Sequence, residues 1–258
     1  MEQSTSKGCS NPSVHNSPPI KLPTEFEDLN NGYKDIHPAA IEENTKAQSS
    51  SAEWFNARKC RLTASNFGRV LRRKSAPSEK FLRSIFCPKS FSAPSVDYGR
   101  KNESKAKSKY LKKYPSRHFH ECGLVINKEF MFLGATPDAK LCDESSKRGI
   151  AEIKCPYCAR NCTIREACSK HDFCLEIIEE TNEISLKRNH EYYAQVQGQL
   201  MITGCDFCDF VVYTKKDMFV ERIYPDIDFM KSMLKNLSTF FKNSAKPFLD
   251  KENAQPAV

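Results

Sequence analysis

Ala135-Thr136-Pro137-Asp138, followed fourteen residues after the aspartate by Glu152-Ile153-Lys154, is the stretch on which the fold turns. Successive side chains of a strand point to opposite faces, so Glu152 and Lys154 share one face while Ile153 points into the core. Asp138, at the end of the preceding segment, can close on the same face from its loop. Two carboxylates beside a backbone carbonyl make an oxygen-rich site for a hard cation, Mg²⁺ or Mn²⁺, which keeps several waters and binds phosphate oxygens. A cation so placed lowers the pKa of a bound water and stabilises charge on phosphoryl oxygens, with Lys154 near enough to orient the water or the phosphate. Phosphodiester hydrolysis is the matching reaction. A plainer reading fits the same triplet: Asp138 as a turn residue, with Glu152 and Lys154 an exposed pair on a strand edge.

Upstream, a helix is predicted from Ser51 through Trp54, Phe55 and Arg58. A second begins near Thr63, where Thr63 or Ser65 can cap the run Phe67, Val70, Leu71. Ser78 to Phe86 forms a third, and a fourth starts near Asp97 and carries Glu103, Ala106 and Tyr110 toward Pro115. Phe119 to Ile126 and Glu129 to Ala135, joined by Asn127-Lys128, read as a β-hairpin, with Ile150 to Lys154 a further strand. Downstream, Asn189 to Thr203 returns to helix with Tyr193, Val196 and Leu200 on one face, and Tyr192, Gln195 and Gln199 form a separate stripe. Asp209 to Thr214 and Met218 to Tyr224 read as strands. A last amphipathic helix buries Phe229, Met233, Leu237 and Phe240. This order implies an α/β fold with a central mixed sheet flanked by helices.

With 258 residues, 39% of them hydrophobic, the chain has material for one sizeable domain. Residues 1–50, rich in Ser, Asn, Pro and charge, read as a disordered or loosely packed tail, residues 51–246 as the domain, and residues 247–258 as a second tail. The net charge of +8 is uneven, since the first 50 residues are mildly acidic and the rest of the chain carries the whole excess. A basic body suits a polyanionic partner, nucleic acid first. Twelve cysteines are present without a signal-peptide pattern at Met1 to Ser10, so reduced thiols inside the cell are expected, and no apolar run is long enough to cross a membrane. Cys155, Cys158 and Cys162, with Cys168, His171 and Cys174 behind them and Cys205-x-x-Cys208 later, have spacings seen at Zn²⁺ or iron–sulfur sites. Scattered thiols are the favoured reading, and a structural Zn or iron–sulfur cluster is not expected.

From about Trp54 to Thr214 the chain resembles the YqaJ-like viral recombinase and phage lambda exonuclease family of the PD-(D/E)xK nuclease superfamily. Five blocks carry the resemblance in family order: Trp54 and Arg58 with Leu62-Thr63-Ala64-Ser65; Gly99 and Glu103; Pro137-Asp138; Glu152-Ile153-Lys154-Cys155-Pro156; and Ala194-Gln195-Val196-Gln197. The resemblance implies a restriction-endonuclease-like core and a metal-dependent 5′-to-3′ exonuclease acting on duplex DNA ends in recombination or repair. It implies metal held by Asp138, Glu152 and the Ile153 carbonyl, with Glu103 serving a second ion or its water, Lys154 assisting the nucleophile and Gln195 hydrogen-bonding into the site. It also implies a 5′-phosphate pocket at Arg58 and Ser65, and often a ring oligomer. The Cys155 position is not a ligand in that family. Two other uses of the fold stay open, a catalytically inactive DNA-binding or interaction module and an endonuclease using the same site. The location expected is the nucleus of a eukaryotic source and otherwise the cytoplasm.

Overall fold

Gly149–Lys154 and Phe207–Tyr213 are buried along almost their whole length, as strands covered on both faces must be. The computed structural model describes residues 11–33, 36–88, 93–144 and 147–254. Its strands in chain order are β1 (Leu62–Thr63), β2 (His118–His120), β3 (Leu133–Gly134), β4 (Ala139–Cys142), β5 (Gly149–Lys154), β6 (Leu175–Ile177), β7 (Ile184–Leu186), β8 (Phe207–Tyr213) and β9 (Met218–Ile223). The helices are α1 (Pro38–Asn44), α2 (Ala52–Arg58), α3 (Phe67–Leu71), α4 (Glu79–Phe86), α5 (Pro94–Lys113), α6 (Ile164–Cys168), α7 (Glu191–Thr203), α8 (Ile227–Phe240) and α9 (Lys246–Ala254). The central sheet has the order β2-β4-β5-β8-β9. Its middle pair β5 and β8 is parallel, and β2, β4 and β9 join antiparallel, giving the mixed sheet that the element order implied.

Strand alternation sends β5 and β8 side chains into two separate cores. Ile153, Phe207 and Val211 pack with Ala106 and Tyr110 of α5 on one face. Ile150, Phe210 and Val212 join α3, α7 and α8 on the other. A carboxylate buried under α5, Asp209, receives hydrogen bonds from Arg117 Nη1 at 2.7 Å and Arg222 Nε at 2.7 Å, so its charge is compensated in place. On the opposite face α7 lies close against α3. A Cβ at Gly198 would meet the Phe67 ring at 2.4 Å, so only glycine permits this approach. Gly204, with φ of 60°, ends α7 in the left-handed conformation that suits a helix C-terminus.

Three expectations are corrected. The hairpin over 119–135 shrinks to one antiparallel bridge, in which Val125 N–H donates to the Ala135 carbonyl at 2.7 Å and Ala135 N–H to the Val125 carbonyl at 3.0 Å. Leu124, Val125 and Ile126 are all buried and therefore do not alternate, and the Gly123 and Leu124 N–H groups bond to the Glu42 carboxylate and Thr45 hydroxyl instead of a partner strand. Asn127 turns the chain into a 3₁₀ segment by accepting from Glu129 N–H, and β3 then pairs parallel with β1. Residues 11–33 and 36–50 are not a loose tail: Val14, Ile20, Leu22, Phe26 and Leu29 enter the main core, Glu129 and Asn127 side chains bond the Leu22 N–H and Asn16 carbonyl, and Asn16 and Asn30 side chains bond the Thr203 carbonyl and Met131 N–H. At the other end the supposed tail continues as α9, burying Phe248 beside Phe86, while Arg83 makes a two-pronged ion pair with Glu252. Residues 1–10 and 255–258, also assigned to the tails, lie outside the described residues.

Candidate active site

The antiparallel ladder between β4 and β5 stops at Ala151, and beyond it Asp138 takes over the freed edge of β5. Asp138 N–H donates to the Ala151 carbonyl at 3.0 Å, and Asp138 Oδ2 accepts from Ile153 N–H at 2.6 Å. A strand residue directs its N–H and C=O to the same edge, so the Ile153 carbonyl also faces Asp138. Glu152 projects from the other face toward α7 and is buried to 3% exposure. Three donors surround its carboxylate: Lys154 Nζ at 2.6 Å and Gln195 Nε2 at 2.6 Å on Oε1, and Gln199 Nε2 at 2.6 Å on Oε2. Gln195 also accepts from Lys154 Nζ at 3.1 Å, closing a triangle of acid, amine and amide. The plainer reading of Glu152 and Lys154 as an exposed edge pair is excluded.

Electrostatics follow from this crowding. Burial first, and then the Glu152 carboxylate, holds the Asp138 carboxyl well above the usual carboxylate range, against the pull of Lys154. Burial acts to lower the Lys154 ammonium, but Glu152, with Tyr192 and Asp138 behind it, keeps it above the ordinary lysine value. Two neighbouring carboxylates beside a main-chain carbonyl, one of them Asp138 with its proton affinity raised by burial and by the other's charge, suit a hard divalent cation that would relieve the repulsion. Among the described residues no group of three or more His, Cys, Asp and Glu side chains is arranged to hold a metal ion. Glu103 stands near enough for its charge to add to the rise of Asp138. It stays on the rim of α5 in an ion pair with Lys107 at 2.8 Å, and Lys107 donates to the Asp138 carbonyl at 2.9 Å.

The raised Asp138 pKa carries a pH prediction. A carboxyl whose folded-state pKa is raised binds its proton more tightly when folded, so stability falls as pH rises from 3.8 through the folded value. Asp138→Asn, which retains an acceptor for Ile153 N–H, is expected to raise the melting temperature in chelator at pH 7. The gain should vanish below pH 3.8, where the wild-type group is protonated in both states. Thermal melts across pH check this; an equal gain at all pH values would contradict it.

Asp138 and Glu152 share a cavity of about 200 Å³ with Trp54, Arg58, Thr63, Ser65, Thr136, Gln195, Gln199 and Gln48. Arg58 lies over the Trp54 ring at 4.0 Å, donates to Thr136 Oγ1 at 3.4 Å and Thr63 Oγ1 at 3.2 Å, and has no carboxylate partner among the described residues. Burial pushes its guanidinium down to about 10. Ser65 is exposed in a 3₁₀ turn, sharing a hydrogen bond with Thr63 at 3.3 Å. Neither Thr63 nor Ser65 caps a helix as expected, because α3 starts only after Asn66 and lacks a side-chain cap. Thr136 and Gln48 were not assigned roles from sequence. Thr136 anchors Trp54 and Arg58, while Gln48 holds the Cys122 and Pro137 carbonyls at 2.8 and 3.1 Å. Position inside the Thr-Pro-Asp segment was the available signal for Thr136; none pointed to Gln48.

The cysteines stand apart from this cavity. Cys155 and Cys162 are half-buried, Cys158 is exposed, and Cys174, Cys205 and Cys208 are buried. Burial drives the Cys155 thiol up to about 12, which keeps it protonated.

Acid and amine thus occupy same-face positions of a central strand in a mixed sheet, facing a glutamine-bearing helix and a cavity that Arg58 also lines. The chain belongs to the YqaJ-like viral recombinase domain family, whose model matches residues 53–206. Among solved structures it is similar to an alkaline exonuclease of Laribacter hongkongensis at 24% identity, covering 79% of this chain and 96% of that one with a TM-score of 0.59. The shutoff and exonuclease protein of Kaposi's sarcoma-associated herpesvirus is similar at 12% identity, with 81% and 72% covered and a TM-score of 0.55. In an RNA complex that viral protein is 12% identical, with 84% and 77% covered and a TM-score of 0.60. No curated protein sequence matches the chain.

Proposed function

We propose that this chain is a Mg²⁺- or Mn²⁺-dependent deoxyribonuclease that degrades duplex DNA from its 5′-phosphorylated ends. The observation that carries this reading is the shared cavity, in which a half-buried guanidinium with no carboxylate partner among the described residues lines the same space as Asp138 and Glu152. A terminal phosphate at Arg58, Thr63 and Ser65 would bring the first phosphodiester toward Asp138 and Glu152. Asp138, Glu152 and the Ile153 carbonyl would hold the cation, which when bound supplies a water of lowered pKa and offsets phosphoryl charge. Lys154, kept charged, orients the attacking water or the scissile phosphate. Gln195 fixes both Glu152 and Lys154, and Glu103 keeps an outer role at the rim. The nucleic-acid partner is supported by α5, where Arg100, Lys101, Lys105, Lys109, Lys112 and Lys113 are exposed and none is ion-paired within the described residues. It is also supported by the similar viral protein's complexes with DNA and with RNA.

The test compares linear duplexes with a 5′-phosphate or a 5′-hydroxyl. Wild type is expected to prefer the phosphorylated end, and Arg58→Ala to lose that preference by about 10–100-fold, since hydrogen bonds to charged groups contribute about 1.5–3 kcal/mol each. The substitution relieves a half-buried charge but gives up its contacts with Thr63, Thr136 and Trp54, so the melting temperature should shift far less than the end preference. Equal digestion of both ends by wild type would remove the 5′-phosphate pocket from the account.

A further inference from the structure

Gln199 lies one helical turn beyond Gln195 on α7 and is 1% exposed. Its amide orientation is fixed by chemistry: a carboxylate only accepts, so the end at 2.6 Å from Glu152 Oε2 must be Nε2. The carbonyl end then turns away from Glu152, and Oε1 is buried without a hydrogen-bond partner. Gln195 differs in this respect, because its Oε1 accepts from Lys154 at 3.1 Å. Nearby cationic donors are already engaged, Lys154 with Glu152 and Gln195, and Arg58 with Thr63 and Thr136. A buried acceptor left unpaired is costly and points to a donor that arrives with a ligand. Gln199 lines the cavity of about 200 Å³, which has room for several waters.

We infer that Gln199 is a positioning residue of the metal centre, holding the second oxygen of Glu152 through Nε2 and accepting a hydrogen bond from a cation-borne water at Oε1. The inference rests on the reading of Asp138 and Glu152 as metal ligands. Hard divalent cations retain several waters, and each such water needs acceptors for its protons. Glu152 Oε1, already receiving two donors, is a poor candidate, whereas Gln199 Oε1 is a neutral acceptor with no competing bond. Its amide therefore couples the carboxylate that binds the cation to the water shell that surrounds it.

Calorimetric titration of the full chain with Mn²⁺ alone tests this. Gln199→Met, which keeps volume and removes both polar ends, is expected to weaken Mn²⁺ binding by about 10–100-fold, the usual effect of losing a partner that orients a ligand. The Mg²⁺ concentration for half-maximal digestion should rise in step, with KM for DNA unchanged. Gln199→Glu, which keeps an acceptor for the water but loses the Nε2 bond to Glu152, should bind Mn²⁺ more tightly than the Met variant. Mn²⁺ affinity unchanged in the Met variant, or equally lost in both, would overturn the water-accepting role. Should the Met variant not fold, Gln199→Leu, which also removes both polar ends, takes its place in the comparison with the Glu variant. If wild type takes up no Mn²⁺, or Glu152→Ala takes it up equally well, the metal-centre reading itself fails.

Discussion

Glu152→Ala is expected to abolish digestion of linear duplex DNA. The loss should exceed the roughly 10²–10³-fold drop that follows removal of a single transition-state donor, because the same carboxylate both ligates and positions. Glu152 receives Lys154 and Gln195 on one oxygen and Gln199 on the other, so its removal strands three buried or half-buried donors at once. The variant should also melt earlier. Breaking a fully buried ion pair costs about 3–5 kcal/mol, and the cost here should fall below that because the Lys154 side chain keeps 20% exposure and can hydrate. Asp138 meanwhile loses a repulsive neighbour, which offsets part of the damage. Digestion of labelled DNA beside a thermal melt checks both parts. Full activity in Glu152→Ala would remove the site from the account.

A chain beginning at Ser51, close to the start of the family match at residue 53, is expected not to fold. Val14, Ile20, Leu22, Phe26 and Leu29 are each no more than 8% exposed in the main core. Side chains of this size contribute about 1.5–3 kcal/mol apiece when buried, so the five together rival the roughly 5–15 kcal/mol that stabilises an entire domain. The truncation also deletes Gln48, which pins the Pro137 carbonyl next to Asp138, and Glu42 and Thr45, which satisfy the N–H groups of Gly123 and Leu124. Circular dichroism and a thermal melt decide it: absence of a cooperative transition is expected, and a transition near that of the full chain would contradict the packing described.

The difference between these two regions shows what the residues disclose before the structure does. The site was legible because it is local and periodic. Two-residue alternation placed Glu152 and Lys154 together, and helical spacing placed Gln195 and Gln199 on one stripe, which turned out to hold Glu152 by both oxygens. The N-terminal segment was illegible because its buried residues are irregularly spaced and its bonds run to distant side chains and backbone, Glu129 and Asn127 on its main chain and Met131 N–H on its Asn30, so no period marks it. The hairpin over 119–135 shrank to the single Val125–Ala135 bridge for a related reason: Leu124 to Ile126 look like a strand by composition, but Glu42 of α1 and its C-terminal cap residue Thr45 take the Gly123 and Leu124 N–H groups. β4 escaped notice because it begins immediately after Asp138, where Pro137-Asp138 reads as a turn.

The central claim, a metal-dependent nuclease that works from DNA ends through Asp138, Glu152 and Lys154, is tested most directly by digestion of linear and closed circular duplex of one sequence, carrying a 5′ label on the linear form. With Mg²⁺, wild type is predicted to release the 5′ label from linear DNA and leave the circle intact, and Glu152→Ala to do neither. Cleavage of the circle, or label release by Glu152→Ala at the wild-type rate, would contradict it.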